Sequence, residues 1–488
     1  MPEPVTGDLT GNLVGGRWTA TARTVTNHNP ADSSDVVGEF ADSDTAETTA
    51  AIDAAWQARA EWEQVGPIAR AEIVERAVRT IAAEADVLAA AITREQGKRL
   101  GEARGEVDRA VAIGSFIAGE GRRLDGRTTP AEEPRTLAMT FRRPLGVVGL
   151  ITPWNFPLAI PMWKVAPALV AGCPAIVKPS PLTPHTGALL VDAFDRAGLP
   201  PGVLNLVQGD RDAGEALVAD ERVAGISFTG SLPVGQAINV AGARRLLRTQ
   251  LELGGKNAVI VLADADLDSA ADAVVHGAFG QSGQRCSATS RLVVDRRVED
   301  ELLDRVVARA EAMRVGPGTD GSSDIGPVVN AARADACLAA VRQAVADGAR
   351  VRCGGGPAEV TVAGHRLDGH YVQPTVVDRV DPTSELAQEE IFGPVLAAIS
   401  CDGFDEAVAI SNSVRYGMSA TVFTADPARI FESLSLLDAG MLHVNRPGVG
   451  AYAHLPHMGT KASQLGAPEC SPDTWDFYTD LRSACIRY

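Results

Sequence analysis

Apolar positions along this chain change their period twice. From about residue 44 to 122 they recur at helical spacing among many alanines, with charged faces such as Arg70-Ala-Glu-Ile-Val-Glu-Arg76 and Glu102-Ala-Arg-Gly-Glu-Val-Asp108. From residue 146 onward, short apolar runs alternate with helix-period segments, each bounded by Gly, Pro or Asp. Residues 147–152, 175–177, 203–207 and 225–228 read as strands. Such alternation predicts a parallel sheet with helices on both faces. A second series follows, with strands at 257–262, 291–295, 395–400 and 420–424 and helices near 298–314 and 331–347, and it predicts a second α/β unit. Residues 123–145 mix turn signals with β-prone pieces and fit neither sheet, so they are expected to leave both and pair elsewhere, with another subunit as one candidate partner. Residues 147–177 carry a single charge, Lys164, over a length that spans a bilayer, but prolines at 153, 157, 161, 167 and 174 argue for a buried strand, turn and helix instead.

Composition narrows the class. The 488 residues are 45% hydrophobic and 22% charged, enough apolar material for a large core without disulfides or metals. With 45 cations against 62 anions the net charge is −17, which repels a phosphate backbone and makes nucleic acid and anionic membrane poor partners. Seven cysteines with no CxxC pair fit neither a disulfide framework nor a zinc ribbon, and the expected compartment is a reducing cytoplasm. The first sixteen residues lack the basic and apolar regions of a signal peptide. His454-x-x-His457 and His365-x4-His370 lack a credible third ligand, so no metal site is expected. Only five of the cations are lysines, at 98, 164, 178, 256 and 461.

Five segments hold residues capable of chemistry, and each alone is a weak signal. Cys286 stands in a loop of small and polar residues, 280–291, with Arg285 beside it to favour a thiolate. Glu252 ends an apolar run before Gly254 and Gly255, where a desolvated carboxyl gains a raised pKa and the capacity to act as a base. Asn155 follows a strand in a turn bracketed by Pro153 and Pro157, a placement suited to an oxyanion donor. The turn at 228–235, with Gly230 and Ser231, opens a helix whose amides suit a pyrophosphate, although it is not a GxGxxG motif. Lys178 ends a strand of the same series, at the sheet edge where nucleotides bind.

Together, ITPWNFPL at 151–158, KPS at 178–180, FTGS at 228–231, LELGGKN at 251–257, GQRC at 283–286 and EEIFGPV at 389–395 resemble, in that order, the NAD(P)-dependent aldehyde dehydrogenase superfamily. The resemblance runs from Glu95-Gln-Gly-Lys98 to the C-terminal region. It implies an α/β fold with a Rossmann-like cofactor domain (1–122 and 146–253), a second α/β catalytic domain (254–444) and a small β oligomerisation element (123–145 and 472–488). It gives Cys286 the role of nucleophile, forming a thiohemiacetal with the aldehyde whose oxyanion Asn155 and the Cys286 N–H hold. Glu252 then activates the water that hydrolyses the thioester. Thr152, Trp154, Lys178, Ser180, Pro181, Gly230, Ser231, Gly254, Glu390 and Phe392 fall at cofactor-binding positions, for NAD or NADP. Phe156, Trp163, Arg285 and His457 fall at substrate positions, and a homodimer or homotetramer is implied.

Three departures shape the expectations. Pro181 stands where many NAD-preferring members carry Glu, which removes repulsion toward a 2′-phosphate and points to dual use or an NADP lean. His457 stands where the family usually has Phe, making that part of the pocket polar. The C-terminal stretch keeps an aromatic-rich ending and is otherwise atypical. GQRCSATSR resembles the 2-oxoglutarate semialdehyde branch, and Arg285 with His457 is expected to attract an acid group at the far end of a semialdehyde. An aromatic or aliphatic aldehyde is the rival substrate. A catalytically silent fold and a thiol esterase are the rival classes.

Overall fold

The computed structural model describes residues 9–488, so the expectation about a leader falls partly on residues 1–8, outside the described residues. Four helices follow an N-terminal β region: α1 (Thr45–Gln64), α2 (Pro67–Ala83), α3 (Ala85–Gln96) and α4 (Leu100–Glu120). Local sequence sets their ends. Asp44 accepts from the amides of Ala46 and Glu47 at 2.7 and 3.2 Å while Glu47 bonds back to the Asp44 amide, a reciprocal cap at the start of α1. Pro67 opens α2, and Gly97 at φ +89° closes α3. Helix α5 (Ala159–Ala171) is buried at all of its residues, Lys164 included. Its continuous apolar sequence is that of a helix enclosed in protein.

The first sheet has eight strands. Its parallel centre runs Leu204–Leu206, Ala175–Lys178, Val147–Ile151, Val223–Thr229 and Arg248–Glu252, flanked by antiparallel edges Asn12–Val14 with Arg17–Thr19 and Gln464–Leu465. The central strands are buried on both faces, which explains their unbroken apolar runs. One face carries Val148, Leu150 and Val177 against α2, α4 and α5; the other carries Val147, Ile176 and Ile226 against α1. The chain winds outward from Val147–Ile151 in one direction and then resumes on its other side at Val223–Thr229, so the strand order reverses between these two neighbours.

A second, seven-stranded sheet runs Arg350–Cys353, Thr375–Asp378, Val395–Cys401, Thr289–Asp295, Asn257–Val261, Ser419–Phe423 and Met441–Val444, all parallel except the first pair. Helices cover both faces here too, in two clusters built around Ile260 with Val293 and around Val259 with Leu292. Residues 123–145 form Thr128–Thr129 and Thr136–Pro144, which leave both sheets as the turn signals require. Thr136–Pro144 pairs along its whole length with Thr479–Arg487 of the same chain, from Pro144↔Thr479 to Thr136↔Arg487.

Candidate active site

Reversal of strand order opens a crevice at the carboxyl ends of neighbouring strands, the place where open α/β sheets bind ligands. Register aligns those ends: Ile151 lies beside Lys178 on one side and Phe228 on the other, and Thr229 lies beside Glu252. Thr152, Trp154, Lys178, Ser180, Pro181, Gly230, Ser231 and Gly254 therefore gather at one edge of the first sheet. The Lys178 ammonium is buried and donates to the carbonyls of Gly209 and Pro179 at 2.7 and 3.1 Å, and burial lowers it to about 8. Ser231 precedes the helix Leu232–Ala243 without its side chain capping any amide, so the first turn is open to an anion. The hydroxyls of Thr152 and Thr229 are buried without a partner. A lysine, an uncapped helix start and two orphaned hydroxyls at a strand-order reversal fit a nucleotide cofactor.

The loop carrying Cys286 sits across this edge. Gln281 and Ser282 both hold left-handed backbone, φ +53° and +56°, at a cost of about 1–2 kcal/mol each. Three contacts hold the strained turn: Gln281 donates its side-chain amide to the Asn155 carbonyl at 2.6 Å and its backbone N–H to Glu102 at 2.8 Å, and Ser282 donates to the Gly326 carbonyl at 2.8 Å. Asn155 in turn donates Nδ2 to the Gln284 carbonyl at 3.1 Å, which fixes its amide beside the thiol loop. Lys98 Nζ bridges the Asn155 carbonyl and Glu106, at 2.7 and 2.6 Å, while Glu106 caps the first amides of α5. Asn257 holds the Cys286 carbonyl at 2.7 Å. A Cβ on Gly255 would lie 2.5 Å from that carbonyl, which explains the glycine.

Two carboxyl groups face the thiol. Burial pushes Cys286 up to about 12, with the carboxylates of Glu252 and Glu390 adding to the rise and the Ser287 and Cys286 amides opposing it. Glu252 ends its strand buried, and neither carboxylate oxygen has a partner. Burial, then the charge of Glu469, raise it well above the ordinary carboxyl range, and Lys164 acts against them. Lys164 is paired with Glu469 and donates to Ser227 at 2.8 Å. Glu390 accepts from the Gly255 amide at 2.9 Å and is raised to about 7, mainly by burial. Phe392, at φ +58°, meets Trp154 edge-on with ring centroids 5.4 Å apart.

His457 is buried with Nε2 3.9 Å from Cys286 Sγ, its ring 5.1 Å from that of Trp163. Phe156 packs instead under the Lys98 ammonium, 4.3 Å away. Arg285 requires a correction. Its guanidinium turns to Glu102, 3.6 Å away, and over Gly280, and the neighbouring thiol is held high rather than low. The pairing of Arg285 with His457 as an acid-binding couple is corrected as well. Burial and then Lys164 and Arg109 lower His457 to about 4, so at neutral pH it carries no charge, and it stands at the thiol end of the site.

Several residues here went unread in the sequence. Glu102 and Glu106 belong to a charged helical face and Glu469 to the atypical C-terminal stretch; only the spacing 102, 106, one helical turn, hints at a shared role. All seven cysteines are free, five of them buried besides Cys286, with Cys485 exposed. Among the described residues no cluster of His, Cys, Asp and Glu could hold a metal ion, and no helix is long and apolar enough to cross a membrane.

Comparison with known proteins agrees with this geometry. A sequence model of the aldehyde dehydrogenase family matches residues 18–484. The chain is 37% identical over 479 residues to alpha-ketoglutaric semialdehyde dehydrogenase of Bacillus subtilis, covering 98% of each. Among solved structures, an NADP dependent enzyme of E. coli superposes with a TM-score of 0.94 at 32% identity over 98% of both chains. Betaine aldehyde dehydrogenase of Staphylococcus aureus, in complex with NAD+, gives 0.95 at 28% identity, over 98% of this chain and 94% of that one. With fold and sequence in agreement over nearly its whole length, the chain belongs to the aldehyde dehydrogenase family and is an NAD(P)-dependent oxidoreductase acting on aldehydes.

Proposed function

We propose that the chain oxidises a semialdehyde to the corresponding acid, with Cys286 as nucleophile, Asn155 and the Cys286 amide as oxyanion donors and Glu252 as the base for hydrolysis. One observation carries the division of roles: Glu252 is a buried carboxyl with both oxygens unpartnered, close enough to raise the thiol, at the edge where the thiol loop meets the first sheet. A buried acceptor of that kind can take a proton from a reacting water. Sulfur attack places charge on the carbonyl oxygen, where a pre-placed amide stabilises it without reorganising. When bound, the nicotinamide takes the hydride. Lys178, Ser231, Gly230, Thr152 and Glu390 would hold and orient the cofactor, with Trp154 and Phe392 toward its nicotinamide and Ser180 and Pro181 toward its adenosine.

Substrate class rests on the semialdehyde-oxidising relative and on one charge. Arg109 of α4 is half-buried, has no ion-pair partner among the described residues and is close enough to lower both His457 and Cys470. With Arg285 matched by Glu102, Arg109 is a cation beside His457 left free for an acid group. Aldehydes with an ω-carboxylate are expected to exceed neutral aldehydes of equal length about tenfold or more in kcat/KM, as one charge-assisted contact provides. Equal values would contradict the semialdehyde reading and leave an aromatic or aliphatic substrate.

With Pro181, three residues after Lys178, in place of an acid, the cofactor site is proposed to accept NADP at least as well as NAD. Specificity constants for the two cofactors test this, and an advantage for NAD of about 100-fold, roughly 2.7 kcal/mol, would contradict it. We assign cofactor binding to 1–122 with 146–253 and the thiol to 254–444. The sheet of 123–145 with 472–488 exposes Leu137, Leu481 and Ile486, apolar side chains suited to a homodimer or homotetramer contact. A reducing cytoplasm is the proposed compartment, because all seven cysteines stay free.

A further inference from the structure

We propose that His457 is an acid–base catalyst for the Cys286 thiol, taking the thiol proton as sulfur attacks the aldehyde carbon and returning it when the thiol leaves the acyl group. The inference rests on Cys286 acting as nucleophile. It adds a residue that the family pattern, with Phe at this place, does not supply.

Geometry carries the assignment. His457 Nε2 stands 3.9 Å from Cys286 Sγ, within the range of a hydrogen bond to sulfur. The ring is fixed from two sides. Its backbone pairs reciprocally with Glu469, N–H to carbonyl at 2.8 and 3.0 Å, and its face packs on Trp163 of α5 with the planes 32° apart. Nδ1 is buried without a partner, so no other group competes to orient the imidazole.

The charges facing the ring decide its resting state. Burial first, then Lys164 of α5 and Arg109 of α4, disfavour a proton, while the thiol of Cys286 lies ahead of Nε2, and Glu469, with Cys470 next to it, is bridged to the His457 backbone. Glu252 faces the same thiol from the first sheet. The imidazole is therefore neutral at rest, and with its proton on Nδ1 it presents a lone pair to the thiol. A thiol pushed up to about 12 needs such an acceptor, because burial first, and then Glu252 and Glu390, oppose its ionisation. Transfer becomes favourable only as the C–S bond forms and acidifies the S–H.

Electrons and protons balance over the cycle. During attack the sulfur lone pair forms the C–S bond, the C=O π pair moves to oxygen, and the S–H proton passes to Nε2. The aldehyde carbon is oxidised by hydride loss to the bound cofactor, leaving a thioester. In hydrolysis water adds to the carbonyl, losing one proton to Glu252; the C–S bond then breaks with its pair on sulfur, and the imidazolium proton returns there. Glu252 gives its proton to solvent, so both His457 and Glu252 end as they began. The returned proton matters most here, because a thiolate of a high-pKa thiol is a poor leaving group.

The test alkylates Cys286 in the full-length protein with iodoacetamide, without aldehyde or cofactor, from about pH 6 to about pH 9. Rates are read from the mass of the Cys286 peptide. Wild type, His457→Phe and His457→Gln are compared. Both variants are expected to react about tenfold or more slowly near pH 7.5, with a rate that climbs steadily with pH where wild type levels off earlier. Phe restores the residue common in the family, and Gln keeps polarity without accepting a proton. A Phe variant within about twofold of wild type across the range would overturn the proposal, as would a Gln variant matching wild type, since hydrogen bonding alone would then suffice. Failure of this test leaves aldehyde oxidation itself untouched, because turnover with aldehyde is measured separately.

Discussion

Cys286→Ala is expected to remove aldehyde-dependent formation of reduced nicotinamide, lowering kcat by about 10⁴-fold or more. Without sulfur there is no covalent hemiacetal, and a free aldehyde in the same crevice has no route to a hydride donor of comparable strength. The methyl side chain fits where the thiol stood, and the loop keeps its anchors: Asn257 on the Cys286 carbonyl, Gln281 on the Asn155 carbonyl and Ser282 on the Gly326 carbonyl. None of these uses the thiol. Cofactor affinity, followed by fluorescence titration, should therefore stay near that of the wild type while single-turnover absorbance falls to background. Activity surviving within about tenfold would exclude Cys286 as the nucleophile and return the question to the buried cysteines.

Glu252→Gln is expected to lower steady-state kcat by about 10²–10⁴-fold while sparing the first turnover. Rapid mixing should show a burst of reduced nicotinamide equal to the sites, followed by slow release. Gln fills the same buried volume at the end of Arg248–Glu252, so the change tests chemistry more than packing. The pH profile supplies an independent check. Burial and Glu469 raise Glu252, so the base form appears only as pH climbs beyond the ordinary carboxyl range, and wild-type turnover should climb with it. The Gln variant should lose that limb. Loss of burst and steady state in equal measure would place Glu252 before the hydride step instead of after it.

How far the sequence spoke depended on how local the cause was. Val147–Ile151 and Ala175–Lys178 were legible because strands buried on both faces must be apolar throughout. Asn12–Val14 and Arg17–Thr19 were not, being short edge strands of three residues each with no alternation to detect. In the site, Cys286, Glu252 and Asn155 were legible through motifs whose glycines and prolines answer to close backbone approach. Contacts made across the fold were hidden. Arg285 read as a partner for its neighbour Cys286, yet side chains adjacent in sequence seldom share a direction, and this one turns to Glu102 on α4. His457 comes to the thiol from 171 residues away, carried by the bridge to Glu469. No local pattern encodes such a meeting.

The central claim, oxidation through a thioester on Cys286 that Glu252 releases, is tested most directly by mixing the Glu252→Gln protein with aldehyde and NAD(P) and measuring the mass of the Cys286 peptide after acid quench. The account predicts a Cys286 peptide heavier by the acyl group, one per chain, formed in step with one equivalent of reduced cofactor. Reduced cofactor without that adduct, or an adduct on another residue, would contradict it.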